Sequence, residues 1–177
     1  CLVVFHPVTE EYQYLDEQIK TLINSLNKIK LIKFWILPNN DAGYEKIINQ
    51  ILKSRNTDTK IIKNLPREDY LTILKKSEFI IGNSSSGILE APTYKIPSIN
   101  IGNRQKNRFR GKNVIDVFDF SSENILKSVN KAMSKKFKLS LRNSKNPYGN
   151  GNSSVKILNI LEKTKISKKL LTKHLTY

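Results

Sequence analysis

The strongest local feature of the chain is Gly82-Asn83-Ser84-Ser85-Ser86-Gly87, three serines between two glycines. An apolar run, Phe79–Ile81, leads into it, and Ile88-Leu89-Glu90 follows. A strand, a tight turn and a helix start in that order gather backbone N–H groups and hydroxyls at a helix N-terminus. Such a point favours an anion, because unpaired amides and the helix dipole both attract negative charge. Gly82 and Gly87 let the backbone approach a ligand closely. A serine N-cap with ordinary turn residues is the plainer alternative, yet a cap rarely needs three consecutive serines. The pattern is neither GxGxxG nor a P-loop.

Other polar residues stand at comparable places. Glu90 lies about one helical turn beyond the serines, where a carboxylate can accept two hydrogen bonds from a ribose diol. It sits equally well as a capping-box partner. Ile99-Asn100-Ile101 delivers Gly102-Asn103-Arg104, and a guanidinium fork suits phosphate. Arg108, Arg110 and Lys112 follow Arg104, and a solvated basic loop explains Arg108 and Lys112 better than Arg104. His6 after the first apolar run could bond a phosphate or move a proton, though a lone histidine is more often structural. Asn39-Asn40-Asp41 reads from spacing alone as a helix-cap cluster. Tyr70 could stack on a base, but packing into the core is its simpler role. Cys1, His6 and His174 form no metal-binding spacing, and neither histidine sits in a Ser-His-Asp motif.

These residues need elements that place them together. Leu2–Phe5, Leu31–Leu37, Lys60–Leu65, Phe79–Ile81, Ser98–Ile101 and Val114–Val117 read as short strands. Leu15, Ile19, Leu22, Ile23 and Leu26 give a helical period over Glu11 to Ile29. Further helices are expected over Ala42 to Lys53 with Asp41 as cap, Arg67 to Lys76, Ile88 to Tyr94 and Ser121 to Phe137. A long basic helix is expected from Ser153 onward, after the turn cluster Asn146–Asn152. Strands alternating with helices predict an α/β fold, a Rossmann-like parallel sheet with helices on both faces. In such sheets ligands bind beyond the carboxyl ends of strands. His6, Asn39, Gly82–Ser86 and Gly102–Arg104 all follow strands.

Bulk properties bound the rest. The 177 residues suit one domain, and no apolar run reaches membrane-span length. Net charge is +16, from 31 Lys and Arg against 15 Asp and Glu. Such charge attracts nucleic acid, anionic lipid or phosphorylated ligands. Its lysines are scattered rather than concentrated and interleaved with aromatics, which favours a compositional bias over a nucleic-acid module. A lone Cys at residue 1 makes no internal disulfide, so a reducing, cytoplasmic setting is expected. The absence of Met at residue 1 reads as a piece of a longer protein.

The runs Phe5-His6-Pro7, Pro38-Asn39-Asn40-Asp41-Ala42-Gly43, Gly82–Pro92, Lys95–Gln105 and Pro147–Gly151 together resemble the UDP-N-acetylglucosamine 2-epimerase family. The GNSSSG and IGNRQ runs resemble its hydrolysing branch, which feeds sialic-acid-type sugar synthesis. The resemblance covers essentially the whole chain. It implies the C-terminal, UDP-binding half of a two-domain GT-B enzyme, with 1–177 as that domain and 152–177 as its tail. It implies that Ser84 and Ser85 hold the diphosphate and Glu90 the ribose hydroxyls. Arg104 and His6 would stand at the phosphate or sugar side, His6 as the catalytic candidate. Asn39 would lie near the nucleotide, and Leu65 and Tyr70 would flank the uracil. The implied reaction starts with proton abstraction at C2 and elimination of UDP, and water then adds. The implied acid/base carboxylates belong to the N-terminal domain, so this chain by itself is expected to bind UDP without turnover. No metal or other cofactor is implied. The implied partners are UDP-N-acetylglucosamine or a related UDP-sugar such as a diacetylbacillosamine derivative, the N-terminal domain, and further copies in a homo-oligomer. Nucleic acid and membrane are not expected partners. A UDP-sugar glycosyltransferase half and a basic nucleic-acid module are the competing readings.

Overall fold

The computed structural model describes residues 1–172. Six short strands make one sheet: β1 (Leu2–Val4), β2 (Lys33–Ile36), β3 (Thr59–Ile62), β4 (Ile80–Gly82), β5 (Ser98–Ile101) and β6 (Val114–Val117). Their order is β3-β2-β1-β4-β5-β6, and every neighbouring pair is parallel. The chain steps outward through β1, β2 and β3, returns to lay β4 beside β1, then steps outward the other way. The strand order therefore reverses between β1 and β4, where Val4 stands opposite Gly82. An open parallel sheet has its binding crevice at that reversal.

Helices cover both faces: α1 (Leu15–Asn27), α2 (Tyr44–Lys53), α3 (Arg67–Lys76), α4 (Ser86–Leu89), α5 (Ser122–Met133) and α6 (Lys135–Leu141). Alternation along the strands explains the two layers. Val3, Phe5, Trp35, Ile81, Ile99 and Ile101 point to a core shared with α1, α2 and α5. Leu2, Val4 and Ile80 point the other way, against Leu74 of α3 and Ala91. Both faces of β1 are thus apolar, which is why Leu2–Phe5 is a continuous hydrophobic run. Each fully buried Leu, Ile or Phe of these layers contributes about 1.5–3 kcal/mol.

Helical expectations change at several places, and Ile88–Tyr94 is among them: it divides into α4 and a 3-10 turn, Ala91–Tyr94. The Glu11–Ile29 pattern divides into a 3-10 turn, Thr9–Tyr14, and α1 proper. The turn buries no residue, whereas the apolar period starts at Leu15. The Ser121–Phe137 pattern breaks at Ser134, which is extended (ψ 138°) and accepts the Phe137 N–H on its hydroxyl to start α6. Asp41 does not cap α2. That helix starts at Tyr44, after Gly43 in the left-handed region with φ 96°.

The described residues fall into two compact units. Cys1–Pro147 holds the sheet and α1–α6. The second unit begins at Tyr148 and carries α7 (Ser153–Lys163) and α8 (Lys168–Leu171). The expected long terminal helix is interrupted at Thr164, an extended residue, and restarts after Ser167. His174 lies outside the described residues. Among the described residues no helix is long and apolar enough to cross a membrane.

Candidate functional site

A sheet whose strands all run one way puts every strand-following residue at one edge. The structure therefore brings His6, Asn39, Leu65, Ser84, Ser85 and Arg104 to the carboxyl edge, beyond β1, β2, β3, β4 and β5 in turn. At the β1/β4 reversal the turn after β4 is held tightly. Gly82 has φ 136°, and a Cβ there would sit 2.0 Å from the Val4 carbonyl oxygen. Only glycine lets β4 leave the sheet so close to β1.

Beyond Gly82, the Asn83 N–H donates to Val4 O at 3.2 Å. The next two N–H groups, of Ser84 and Ser85, have no hydrogen-bond partner among the described residues. Ser84 Oγ accepts the Ser86 N–H at 3.3 Å, while Ser85 Oγ has no hydrogen-bond partner among the described residues and does not cap α4. Both serines are half-buried. The ordinary N-cap role of Ser85 is thereby excluded, and two amides and a hydroxyl remain available to an anion. α4 is only four residues long, so its dipole is a small contributor. The anion-binding capacity rests on the turn's own donors.

His6 meets this turn from the segment after β1. Its Nδ1 lies 3.1 Å from Asn39 Oδ1 and 3.2 Å from the Asn39 backbone N. Asn39 Nδ2 donates to Asp41 Oδ2 at 2.7 Å, which fixes the amide with Oδ1 toward the imidazole. A bare Nδ1 thus has the backbone N–H as donor, and a protonated Nδ1 has Oδ1 as acceptor. Burial, followed by the charge of Arg104, pushes the imidazole below the ordinary histidine range; Asn39 and Asp41 oppose this. Arg104 reaches across the crevice, with a long bond from its guanidinium to Asn83 O at 3.4 Å and Asp41 Oδ2 at 3.9 Å. His6, Asn39, Asp41, Arg104 and the serine turn make one cluster. An open cleft of about 660 Å³ adjoins it, lined in part by Pro7, Thr9, Asp41, Arg104 and Lys106.

The remaining predicted residues lie on the α3 side. Tyr70 packs against the second core layer, and burial pushes its phenol above the ordinary range. The nearby Ser86 hydroxyl draws it back and Glu90 raises it further. The Ser86–Tyr70 approach falls short of hydrogen-bond geometry, and Ser86 Oγ stays buried without a partner among the described residues. Glu90 follows α4 as its C-cap and therefore cannot act as a capping-box residue. Its carboxylate lies 3.6 Å from the exposed Arg67 guanidinium, a weak surface pair that leaves it open to a ligand. Leu65 is half-buried past β3, just before Pro66, the N-cap of α3, and no described contact joins it to the His6 cluster.

Sequence reasoning missed Asn83, Gln105 and Asp41. Asn83 is 1% exposed, and its side chain bonds the His6 backbone. Gln105 Nε2 donates to Asn83 O at 2.8 Å. Arg110 is used internally: its Nε meets the Asp116 carboxylate at 3.1 Å and its NH1 the carbonyls of Gln105 and Arg108. Arg104 turns to the crevice, whereas Arg110 is held by Asp116. Among the described residues no group of three His, Cys, Asp or Glu could hold a metal.

Comparison with known proteins matches the profile described as UDP-N-acetylglucosamine 2-epimerase over residues 1–162. The chain is 37% identical over 131 residues to the UDP-N-acetylglucosamine 2-epimerase of Neisseria meningitidis, covering 74% of this chain and 34% of that protein. It is 33% identical over 176 residues to the UDP-N,N'-diacetylbacillosamine 2-epimerase (hydrolyzing) of Legionella pneumophila, covering 98% and 45%. The crystal structure of the N. meningitidis UDP-GlcNAc 2-epimerase superposes with a TM-score of 0.74 at 18% identity, covering 92% of this chain and 44% of that one. The S. aureus MnaA–UDP structure gives 0.71 at 17% identity, covering 91% and 45%. The chain spans less than half the length of these relatives.

Proposed function

The chain belongs to the UDP-N-acetylglucosamine 2-epimerase family, and on that premise we propose that it is the part of a hydrolysing 2-epimerase that grips the UDP of a UDP-sugar. The observation that carries this reading is the β1/β4 crevice: two amides and a hydroxyl at Ser84-Ser85 without partners among the described residues, with Arg104 reaching the same turn. In this reading Ser84 and Ser85 hold the diphosphate and Arg104 adds the fixed positive charge. Glu90 accepts the ribose hydroxyls, Leu65 and Tyr70 flank the uracil, and Asn39 stands near the nucleotide. Solved relatives of the same fold hold UDP or UDP-GlcNAc, which supports the ligand class.

The reaction that fits is elimination followed by hydration. A base takes the C2 proton of the sugar, the C1–O bond breaks, and UDP leaves with the bonding pair. Water then adds across the resulting double bond, OH to C1 and H to C2, releasing the free epimerised sugar. The Ser84-Ser85 donors and Arg104 act on the departing diphosphate, because preorganised donors stabilise a leaving group as its charge develops. His6, with a partner for either state of Nδ1, is suited to protonate or bond that leaving oxygen. The C2 base belongs to the domain that the longer relatives carry beyond this chain. Relatives of both the N-acetylglucosamine and the diacetylbacillosamine type match, and the UDP grip serves either. Turnover by the longer protein in D2O tests the reaction. One solvent deuteron at C2 of the free product is expected; protium alone at C2, or transfer to an acceptor sugar, contradicts it.

A further inference from the structure

Asn83 lies between the serine turn and everything that faces it. Its Oδ1 accepts the His6 N–H at 2.7 Å and its Nδ2 donates to His6 O at 2.8 Å. The pair copies a strand-to-strand bridge one step past the sheet, where β1 and β4 have already ended. Its backbone is held as well: N–H to Val4 O at 3.2 Å, carbonyl to Gln105 Nε2 at 2.8 Å and to Arg104 NH1 at 3.4 Å. One residue thus ties the loops after β1, β4 and β5 together at the reversal of strand order. Parallel strands diverge beyond their last ladder bond, and nothing else among the described bonds links His6 to the serine turn. We propose that Asn83 is a positioning residue, which sets the His6 and Arg104 groups at their working distance from Ser84 and Ser85. This rests on the UDP-binding reading and adds a residue to it.

The side chain's chemistry makes the claim specific. Only a carboxamide of this length both accepts an N–H and donates to a carbonyl of the same residue. Asn83 is buried, so no ligand group replaces it. Asn83→Ala keeps the carbonyl that Arg104 and Gln105 meet and removes only the two bonds to residue 6. Its effect on binding must therefore pass through the placement of His6 against the turn that Arg104 also meets, which a double-mutant cycle detects as non-additivity. UDP affinity of the chain is measured by calorimetry for Asn83→Ala alone, and again in a His6→Ala, Arg104→Ala background. The expected losses are about tenfold or more in the first case and under about threefold in the second. Equal losses in both backgrounds overturn the proposal.

A second measurement needs neither UDP nor a variant. The His6 amide has Asn83 Oδ1 as its partner, so it should resist hydrogen exchange as the β1 amides do. Exchange at the rate of an open loop overturns the proposal, even if Asn83→Ala does not fold. A wild-type chain that ignores UDP while protecting the His6 amide would remove the UDP reading and leave the clamp standing.

Discussion

Replacing Gly82 by alanine should do more damage than replacing any other glycine near the site. The backbone there has φ 136°, a region closed to L side chains, which costs about 1–3 kcal/mol. The added Cβ would stand 2.0 Å from Val4 O, 2.6 Å from Val4 C and 3.3 Å from Phe5 N. All three are backbone atoms of the central strand, so no side-chain rotation relieves them. Forcing β1 away from β4 adds about 1–3 kcal/mol. The total, about 2–6 kcal/mol, is a large share of the 5–15 kcal/mol that typical domains possess. Gly102→Ala is the control in the same unit. Its φ is 75°, near the left-handed helical region, and its Cβ would meet only the Phe120 ring at 3.2 Å. That change should cost about 1–2 kcal/mol. Urea unfolding of the two variants, with UDP calorimetry on each, reads the difference. Gly82→Ala should lose the larger stability and all measurable UDP binding. Equal losses for the two glycines would refute the steric argument and the tight β1/β4 exit with it.

Further outcomes follow from the site. Arg104→Ala should weaken UDP by about ten- to a hundredfold, the worth of a charge-assisted bond, and leave uridine almost unchanged. Equal losses for the two ligands in calorimetry would mean the guanidinium does not meet phosphate. Glu90→Gln should weaken UDP more than 2'-deoxy-UDP, and the same loss for both would remove the ribose assignment. Burial and Arg104 depress the His6 pKa, so the folded chain favours neutral imidazole. Stability from this group is complete above the ordinary value of about 6.5 and falls as pH drops through it toward the depressed value. His6→Ala should flatten that part of a urea-midpoint-versus-pH curve; an unchanged slope would show that another group titrates.

Much of this arrangement was legible in the sequence because strand-following position is a strong signal in a parallel sheet. Leu2–Phe5 is apolar throughout, His6 comes at once after it, and the same rule put Ser84, Ser85 and Arg104 at the same edge. The edge they share followed from alternation of strands and helices alone. What stayed hidden was which polar group answers which. Asp41 has the spacing of a helix cap, yet Gly43 takes the helix start and frees its carboxylate to orient Asn39. Arg110 and Arg104 look alike in sequence, and only Asp116 on β6 separates them by capturing Arg110. Asn83 looked like one more turn residue, because its role depends on His6, 77 positions away. Local patterns report elements and their ends; pairings across the sheet edge need the strand order.

The Ser84-Ser85 turn is the centre of the account, and UDP calorimetry on Ser84→Ala, Ser85→Ala beside the wild-type chain tests it most directly. The Ser85 hydroxyl bonding a charged diphosphate is worth about 1.5–3 kcal/mol, so affinity should fall about ten- to 150-fold with the backbone amides and the fold intact. A folded double variant that binds UDP as tightly as the wild type would contradict the assignment of the diphosphate to this turn.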